Sequence, residues 1–233
     1  MAVFFARGVS RWPALSSPLL HLLPIVVPFV IVLISLTIHE AAHAWSADRL
    51  GDPTARLLGR ISLNPARHID PIGTIVLPLV ARMSGLPIIG WAKPVPVNVN
   101  RLRRGRRDFV LVAAAGPVSN LLQAAVGAAA YHATGEGSVA AQWFWSEFVT
   151  TNLLLALFNM IPVPPLDGGN VLSGLLPDSA EALFTMLRQY GFIILYALML
   201  SGALNRIIVP PTAFLLSAFS VLPPYLFERI LFP

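Results

Sequence analysis

Two histidines and a glutamate stand close together in the sequence HEAAH, residues 39–43. In a helix, positions four apart lie on one face and one turn apart, so His39 and His43 can bind the same metal ion. Glu40 lies beside them, where its carboxylate can take a proton from water bound to that metal. The spacing therefore predicts a zinc site at which Glu40 is the general base.

A catalytic zinc ion usually has three protein ligands and one open position for water, so a third ligand is needed. Asp167 is the only acidic residue between Glu147 and Asp178, and it lies in the sequence PPLDGG where an apolar segment ends. A carboxylate at such a break can line a cavity from unwound backbone. We therefore expect His39, His43 and Asp167 to bind one Zn2+ per chain.

The three remaining histidines are weaker candidates for the third ligand. One lies about five turns before His39 on the same helix, one lies in a polar loop, and one is expected at the opposite membrane face. They are, in that order, His21, His68 and His132. A purely structural explanation also exists, in which the HEAAH side chains pair with each other and Asp167 caps a turn. Ionisable groups are expensive inside a membrane, which favours a functional site.

The composition is that of a membrane protein. Of the 233 residues, 56% are hydrophobic and only 12% are charged, which is far more apolar than an ordinary soluble domain. Five uncharged segments are each about long enough to cross roughly 30 Å of hydrocarbon as a helix. They are Leu19–Ile38, Phe109–Tyr131, Phe148–Leu166, Gln189–Asn205 and Ile207–Phe227. The absence of cysteine excludes disulfides and thiolate metal ligands.

The predicted fold is an all-α polytopic membrane protein with about five membrane-spanning helices, a short re-entrant segment and a small β-hairpin. The apolar run Pro71–Ala81 is short for a crossing, which is typical of a segment that enters and leaves on one side. Arg60–Asn64 and Lys93–Asn100 can form the hairpin, with prolines that make the second an edge strand. Equally, Lys93–Asn100 can offer that edge to an extended segment of another protein. The chain is expected to be one integral-membrane domain over residues 1–233, with a catalytic core at about 19–170 and supporting helices at about 182–230.

Basic residues are concentrated in one part of the chain, because eleven of the sixteen Lys and Arg residues lie between Arg49 and Arg107. The positive-inside rule places these loops in the cytoplasm, against anionic lipid headgroups. No nucleic-acid recognition module accompanies the charge, so we expect no nucleic-acid partner. The two HEAAH histidines and Asp167 can share an ion only if their helices end on one side, as a re-entrant Pro71–Ala81 allows. The site is therefore expected towards the cytoplasmic side.

The sequences HEAAH, GPVSN and NMIPVPPLDGGN, in this order, resemble the site-2 protease family of intramembrane zinc metalloproteases. LGDPTARLLGRISLNPARHIDPIGT and GWAKPVPVN are similar to the short bacterial branch of that family, which lacks PDZ and CBS modules. The resemblance covers roughly Ile38–Asn170. It implies that His39, His43 and Asp167 bind zinc, that Glu40 is the general base, and that peptide bonds within or next to a substrate's transmembrane segment are cleaved.

The same resemblance associates Asn120 of GPVSN and Asn159 of NMIP with the site. An intramembrane Asn needs a hydrogen-bond partner, so each can bind substrate backbone, orient a ligand or tie two helices together. For Asn120 substrate contact and support are equally open, whereas for Asn159 a structural role near the proline-rich turn is favoured. The resemblance also implies a multi-pass protein of a bacterial cytoplasmic membrane that acts within the lipid bilayer on membrane proteins with a transmembrane segment.

Two other functions fit part of the pattern. An ion-conducting or metal-transporting membrane protein also carries ionisable groups in its helices. That function gives no reason for Glu40 to stand at the spacing of a zinc-protease base. A catalytically inactive membrane scaffold would keep the metal site for stability alone. The Glu40→Gln variant separates these alternatives from a protease, because only a protease loses hydrolysis while it keeps the metal.

Overall fold

The computed structural model describes residues 22–77, 80, 83–84, 90–177 and 181–225. This part of the chain is helical and contains no strand, which confirms the all-α class for these residues. The helices are α1 (Leu23–Arg49), α2 (Thr54–Leu57), α3 (Arg106–Thr134), α4 (Val139–Asn159), α5 (Asp167–Leu175), α6 (Glu181–Leu200) and α7 (Ala203–Ala218). Between them lie a π-helical turn at Pro71–Val76 and 3-10 turns at Pro65–Arg67, Val99–Arg101 and Gly135–Gly137.

Among the described helices, two are long and apolar enough to cross a membrane: α1 with 27 residues and α3 with 29 residues. Helices α6 and α7 pass the same test only as a pair, over Met186–Leu200 and Ala203–Ala218, and they are bent by 76° at the break between them. If this bent pair is one span, the described helices provide three crossings. The five predicted spans are therefore not confirmed. Helix α4 is 21 residues long, but polar side chains in its first half, among them Gln142 and Glu147, lower its hydropathy.

The predicted β-hairpin does not form, since residues 60–64 and 93–100 contain no strand. Two prolines in the second segment lack the N–H groups that a strand ladder needs. The segments are joined instead through a side chain, because the Arg60 guanidinium donates hydrogen bonds to the carbonyl oxygens of Lys93 and Pro94. The structural link between these segments is thus present, but it is made without a ladder.

The segment predicted to be re-entrant, Pro71–Ala81, begins as the π-helical turn. Asp70 caps this turn, because its carboxylate accepts hydrogen bonds from the N–H groups of Ile72 and Gly73 at 3.0 and 2.7 Å. Trp91 packs against Gly73, where a Cβ atom would lie 2.4 Å from the indole. The chain therefore returns at Trp91 to the level of the first turn, whereas residues 78–79, 81–82 and 85–89 lie outside the described chain.

Helix α3 lies at the centre of the bundle, where it contacts α1, α4 and α5. Small residues allow these close contacts, as is typical of helices in membranes. At Gly127, for example, a Cβ atom would lie 2.7 Å from the Phe148 ring of α4. Because α1 and α5 both pack against α3, the HEAAH sequence near the end of α1 and Asp167 at the start of α5 are brought together.

Candidate metal centre

His39 and His43 lie one turn apart near the C-terminal end of α1, on the face that packs against α3. Both side chains are buried, with 3% and 8% of each residue exposed. Their rings stand edge to face with centroids 4.7 Å apart. The two Nε2 atoms are only 3.1 Å apart, so both rings direct the same nitrogen to one point.

Asp167 is the first residue of α5 and reaches the same point from a distant part of the chain. Its Oδ2 atom lies 3.1 Å from His39 Nε2, and its Oδ1 atom lies 3.4 Å from His43 Nε2. One ligand atom from each of the three residues lies within 4.8 Å of the other two. The structure therefore brings together the three residues that the sequence predicted as zinc ligands.

The chain can present Asp167 here because it folds tightly between α4 and α5. Prolines in IPVPPL end α4 and exclude a continuous helix. The two glycines after Asp167 then pack on that turn: a Cβ atom on Gly168 would lie 2.3 Å from the Met160 oxygen, and one on Gly169 would lie 2.5 Å from the Pro164 nitrogen. The sequence PPLDGG thus positions the carboxylate through backbone packing.

The other ring nitrogen of each histidine is held by a hydrogen bond to α3. His43 Nδ1 donates to the backbone carbonyl of Val112 at 2.7 Å. His39 Nδ1 lies 2.6 Å from Asn120 Oδ1. A carbonyl oxygen can only accept, so the Val112 contact fixes the proton of His43 on Nδ1 and leaves a lone pair on Nε2. Metal-binding histidines are commonly oriented in this way.

The residues present fit a zinc ion in three respects. Asp167 Oδ2 is buried and has no hydrogen-bond partner among the described residues, although His39 Nε2 is near. Such an orphaned acceptor beside two imidazole Nε2 atoms is satisfied by a cation. Gly116 of α3 keeps the space open, because a Cβ atom there would lie 2.3 Å from His43 Nε2 and 2.5 Å from His39 Nε2. Two nitrogens and one carboxylate form a donor set that zinc accepts.

Glu40 follows His39 on α1 and is half-buried. Among the described residues its carboxylate makes no hydrogen bond, which leaves it available to carry a proton. The charge of Glu40 interacts with that of Arg60, a residue that is 5% exposed. Burial lowers the pKa of the Arg60 guanidinium, and the negative charge of Glu40 opposes that shift. The two side chains are therefore close enough for their charges to interact.

The remaining predicted residues differ in their relation to the cluster. Asn120 contacts His39 directly, whereas Asn159 donates to the Leu155 carbonyl of its own helix at 3.0 Å. His68 is buried in the loop beside Arg60, and its Nε2 contacts the Ser62 carbonyl. His132 donates to the Phe219 carbonyl, and His21 lies outside the described residues. Neither His68 nor His132 belongs to the cluster.

Three features around the site were not anticipated from the sequence: the Val112 carbonyl, the open space at Gly116, and Asn152, whose Oδ1 accepts a hydrogen bond from Asn120 Nδ2. The Val112 carbonyl could not be predicted, because every residue type has a backbone carbonyl. Asn152 did have a signal, because an amide in the uncharged run Phe148–Leu166 must find a partner inside the bundle. Gly116 gave no separate signal, because a glycine in an apolar helix is equally typical of close helix packing.

Comparison with known proteins gives a consistent picture. The model of Peptidase family M50 matches residues 132–202. The chain is 40% identical over 199 residues to Putative zinc metalloprotease YwhC of Bacillus subtilis (strain 168), covering 82% of this chain and 87% of that relative. It is 30% identical over 212 residues to Putative zinc metalloprotease Rip2 of Mycolicibacterium smegmatis, covering 88% and 80% respectively. No solved structure gives a significant match.

Proposed function

Because the chain belongs to peptidase family M50, the site-2 protease family, and is a zinc metalloprotease, we propose that it hydrolyses peptide bonds within or next to transmembrane segments of other membrane proteins. In this proposal His39, His43 and Asp167 bind the zinc and Glu40 is the general base. The observation that carries it is that Asp167 of α5 meets His39 and His43 on α1, a helix that is long and apolar enough to cross a membrane. Such a cluster is expensive in lipid, so a substrate that is itself in the membrane best explains its position.

Hydrolysis needs an activated water, an activated carbonyl and a proton carrier. Zinc, when bound, polarises the scissile carbonyl and lowers the pKa of water. Glu40 accepts a proton from the attacking water as the water oxygen bonds to the carbonyl carbon of the substrate. The same carboxyl then delivers that proton to the amine nitrogen as the C–N bond breaks. His39, His43 and Asp167 do not change protonation in this cycle, which leaves them free to hold the metal throughout.

A transmembrane substrate must unwind before its peptide bonds can be attacked, and an extended partner segment would stabilise the unwound form. Residues 93–98 are suited to this role. The backbone N–H and C=O groups of Val95 and Val97 make no hydrogen bond among the described residues, and no hairpin partner occupies them. We propose that this segment pairs with the unwound substrate through backbone hydrogen bonds, as two neighbouring strands do.

The orientation in the membrane is inferred from charge. The basic residues Arg104, Arg106 and Arg107 stand at the N-terminal end of α3, and the site lies near the same end, at Val112 and Gly116 of that helix. The turn at the other end of α3, residues 135–138, carries no Lys or Arg. We propose a multi-pass protein of the bacterial cytoplasmic membrane whose site opens towards the cytoplasm.

The experiment that tests the function compares the wild type with Glu40→Gln after purification in detergent. Zinc content is measured together with cleavage of a model protein that has one transmembrane segment. We expect Glu40→Gln to retain zinc and to lose about 100-fold or more in cleavage rate, since a general base contributes about that much. An ion transporter or inactive scaffold would show no hydrolysis in the wild type, and that result would refute the proposal.

A further inference from the structure

We propose that Asn152 of α4 is a positioning residue, which fixes the tautomer and orientation of His39 through Asn120. This inference rests on the proposed function in one respect, namely that His39 binds zinc through Nε2. Asn152 touches neither the cluster nor Glu40 in the described structure. Its effect on the site therefore has to pass through the amide of Asn120.

A chain of hydrogen bonds crosses three helices at this level. His39 Nδ1 on α1 lies 2.6 Å from Asn120 Oδ1 on α3. Asn120 Nδ2 donates to Asn152 Oδ1 on α4 at 2.9 Å. Asn152 Nδ2 then donates to Ser35 Oγ on α1 at 3.0 Å and to the Phe148 carbonyl at 2.9 Å. Asn120, Asn152 and Ser35 are each 0% exposed, so water does not compete with these bonds.

The Phe148 carbonyl, at the end of the series farthest from His39, determines which group donates in each of these hydrogen bonds. The Phe148 carbonyl can only accept, so the side of Asn152 that faces it must be the NH2 group. Asn152 then has to present its oxygen to Asn120. Asn120 must therefore donate from its own NH2 group, and its oxygen then faces His39. The ring nitrogen that faces this oxygen must carry the proton, so His39 is held as the Nδ1–H tautomer with a lone pair on Nε2.

Without Asn152 this directional constraint disappears. The Asn120 NH2 group would be buried with no acceptor, which is unfavourable. A flipped Asn120 would direct its NH2 group at His39 Nδ1, and the proton of His39 would move to Nε2. A protonated Nε2 cannot bind zinc. His43 would keep its tautomer, because its Nδ1 donates to a backbone carbonyl that cannot flip.

The test compares Asn152→Leu, which is nearly isosteric, with Ser146→Ala on the same helix. Ser146 is also buried and donates to the Leu222 carbonyl, but it has no connection to the cluster. Zinc affinity of the full chain is measured by competition with a chelator. We expect Asn152→Leu to weaken zinc binding by about 10- to 100-fold, the range typical of residues that orient a ligand, and Ser146→Ala to leave it nearly unchanged.

Two further measurements separate positioning from a general loss of structure. The chain has five histidines, so 15N spectra of the zinc-free protein at alkaline pH can report their tautomers. One histidine should lose its pure Nδ1–H signature in Asn152→Leu. In an Asn120→Asp background the carboxylate accepts from His39 in either orientation. In that background Asn152→Leu should cause no further loss of zinc affinity. If Asn152→Leu does not fold, Asn152→Ala takes its place in both backgrounds.

Several outcomes would overturn the inference. One is unchanged zinc affinity and an unchanged tautomer in Asn152→Leu; another is an equal loss in both backgrounds, which indicates a structural role. Each leaves the proposed protease intact if the wild type binds zinc and cleaves its substrate. Failure of the wild type to bind zinc would instead refute the metal assignment itself.

Discussion

His39 Nε2 and Asp167 Oδ2 lie 3.1 Å apart, although one stands near the end of a membrane-length helix and the other follows a proline-rich turn much later in the chain. With the His39 proton on Nδ1, as the proposed role of Asn152 requires, Nε2 and the carboxylate oxygen are two acceptors, which repel each other unless a cation lies between them. The bundle nevertheless holds them there through Asn120, Gly168 and Gly169. The geometry is that of a site whose energetic balance includes a metal ion.

Gly116→Ala tests whether the space between the imidazoles is needed. Its added Cβ would lie 2.3 Å from His43 Nε2 and 2.5 Å from His39 Nε2, so it would fill the space beside the two ligand nitrogens. We expect zinc to be lost while helix content is kept, since Ala is the better helix former. Gly137→Ala is the matched control because a Cβ there meets nothing within 4 Å. Equal zinc contents in both variants would rule out this role of Gly116.

Replacing Pro94 and Pro96 by Ala tests the extended segment as a substrate partner. The two new N–H groups and the freed φ angles should allow the segment to pair with residues 60–64. We expect the cleavage rate to fall severalfold while zinc content stays at the wild-type level. Pro65→Ala, at the start of a 3-10 turn outside the segment, serves as control. Equal loss of cleavage and zinc would point to misfolding and not to substrate binding.

Asp52 predicts a pH dependence of stability. It is 0% exposed; burial alone would raise the pKa of this carboxyl, but hydrogen bonds from Thr54 and from the Asn98 N–H outweigh it and hold the pKa below its ordinary value. Because the folded pKa lies below the unfolded one, the stabilisation is fully present above about pH 4 and is lost as the pH falls through the folded pKa.

Asp52→Asn should therefore lower stability at pH 7 by about 1–3 kcal/mol, since an NH2 group would face a donor. The difference in melting temperature from the wild type should shrink below about pH 4. Asp48→Asn is the control, because Asp48 makes an exposed ion pair with Arg56 that contributes little. A difference that stays constant with pH would contradict the assigned charge of Asp52.

The absence of native cysteine allows a clean test of orientation. Arg107→Cys and Gly137→Cys place single thiols at opposite ends of α3, which is about 43 Å long at 1.5 Å per residue. In right-side-out vesicles a membrane-impermeant maleimide should label Gly137→Cys and should label Arg107→Cys only after permeabilisation. The reverse pattern would place the site on the outer side.

The parts of the fold that depend on local chemistry were predictable. The spacing of His39 and His43 required a helix to make them one pair, and the prolines before Asp167 required a break that exposes a carboxylate. The predicted hairpin was wrong because side-chain alternation does not supply N–H groups that prolines lack. The number of spans is not confirmed because hydropathy alone cannot say how α4 and the bent pair α6–α7 lie in a bilayer.

The supporting residues could not be ranked from the sequence for a related reason. Asn120, Asn152 and Asn159 are the same residue type in similar apolar surroundings, and only tertiary contacts distinguish them. Asn120 and Asn152 join three helices, whereas Asn159 donates within its own helix. Likewise, the closeness of Gly116 to both imidazoles depends on the packing of α1 on α3, which no local pattern encodes.

The central claim is that two distant parts of the chain bind a single zinc ion, and its most direct test is the zinc-to-protein ratio of purified Asp167→Ala beside the wild type and Asp48→Ala. We predict about one zinc per chain in the wild type and in Asp48→Ala, since three protein ligands are typical of a catalytic zinc site. We predict a ratio close to zero in Asp167→Ala after brief dialysis against a chelator. Full zinc retention in Asp167→Ala, or a wild type that contains no zinc, would contradict the account.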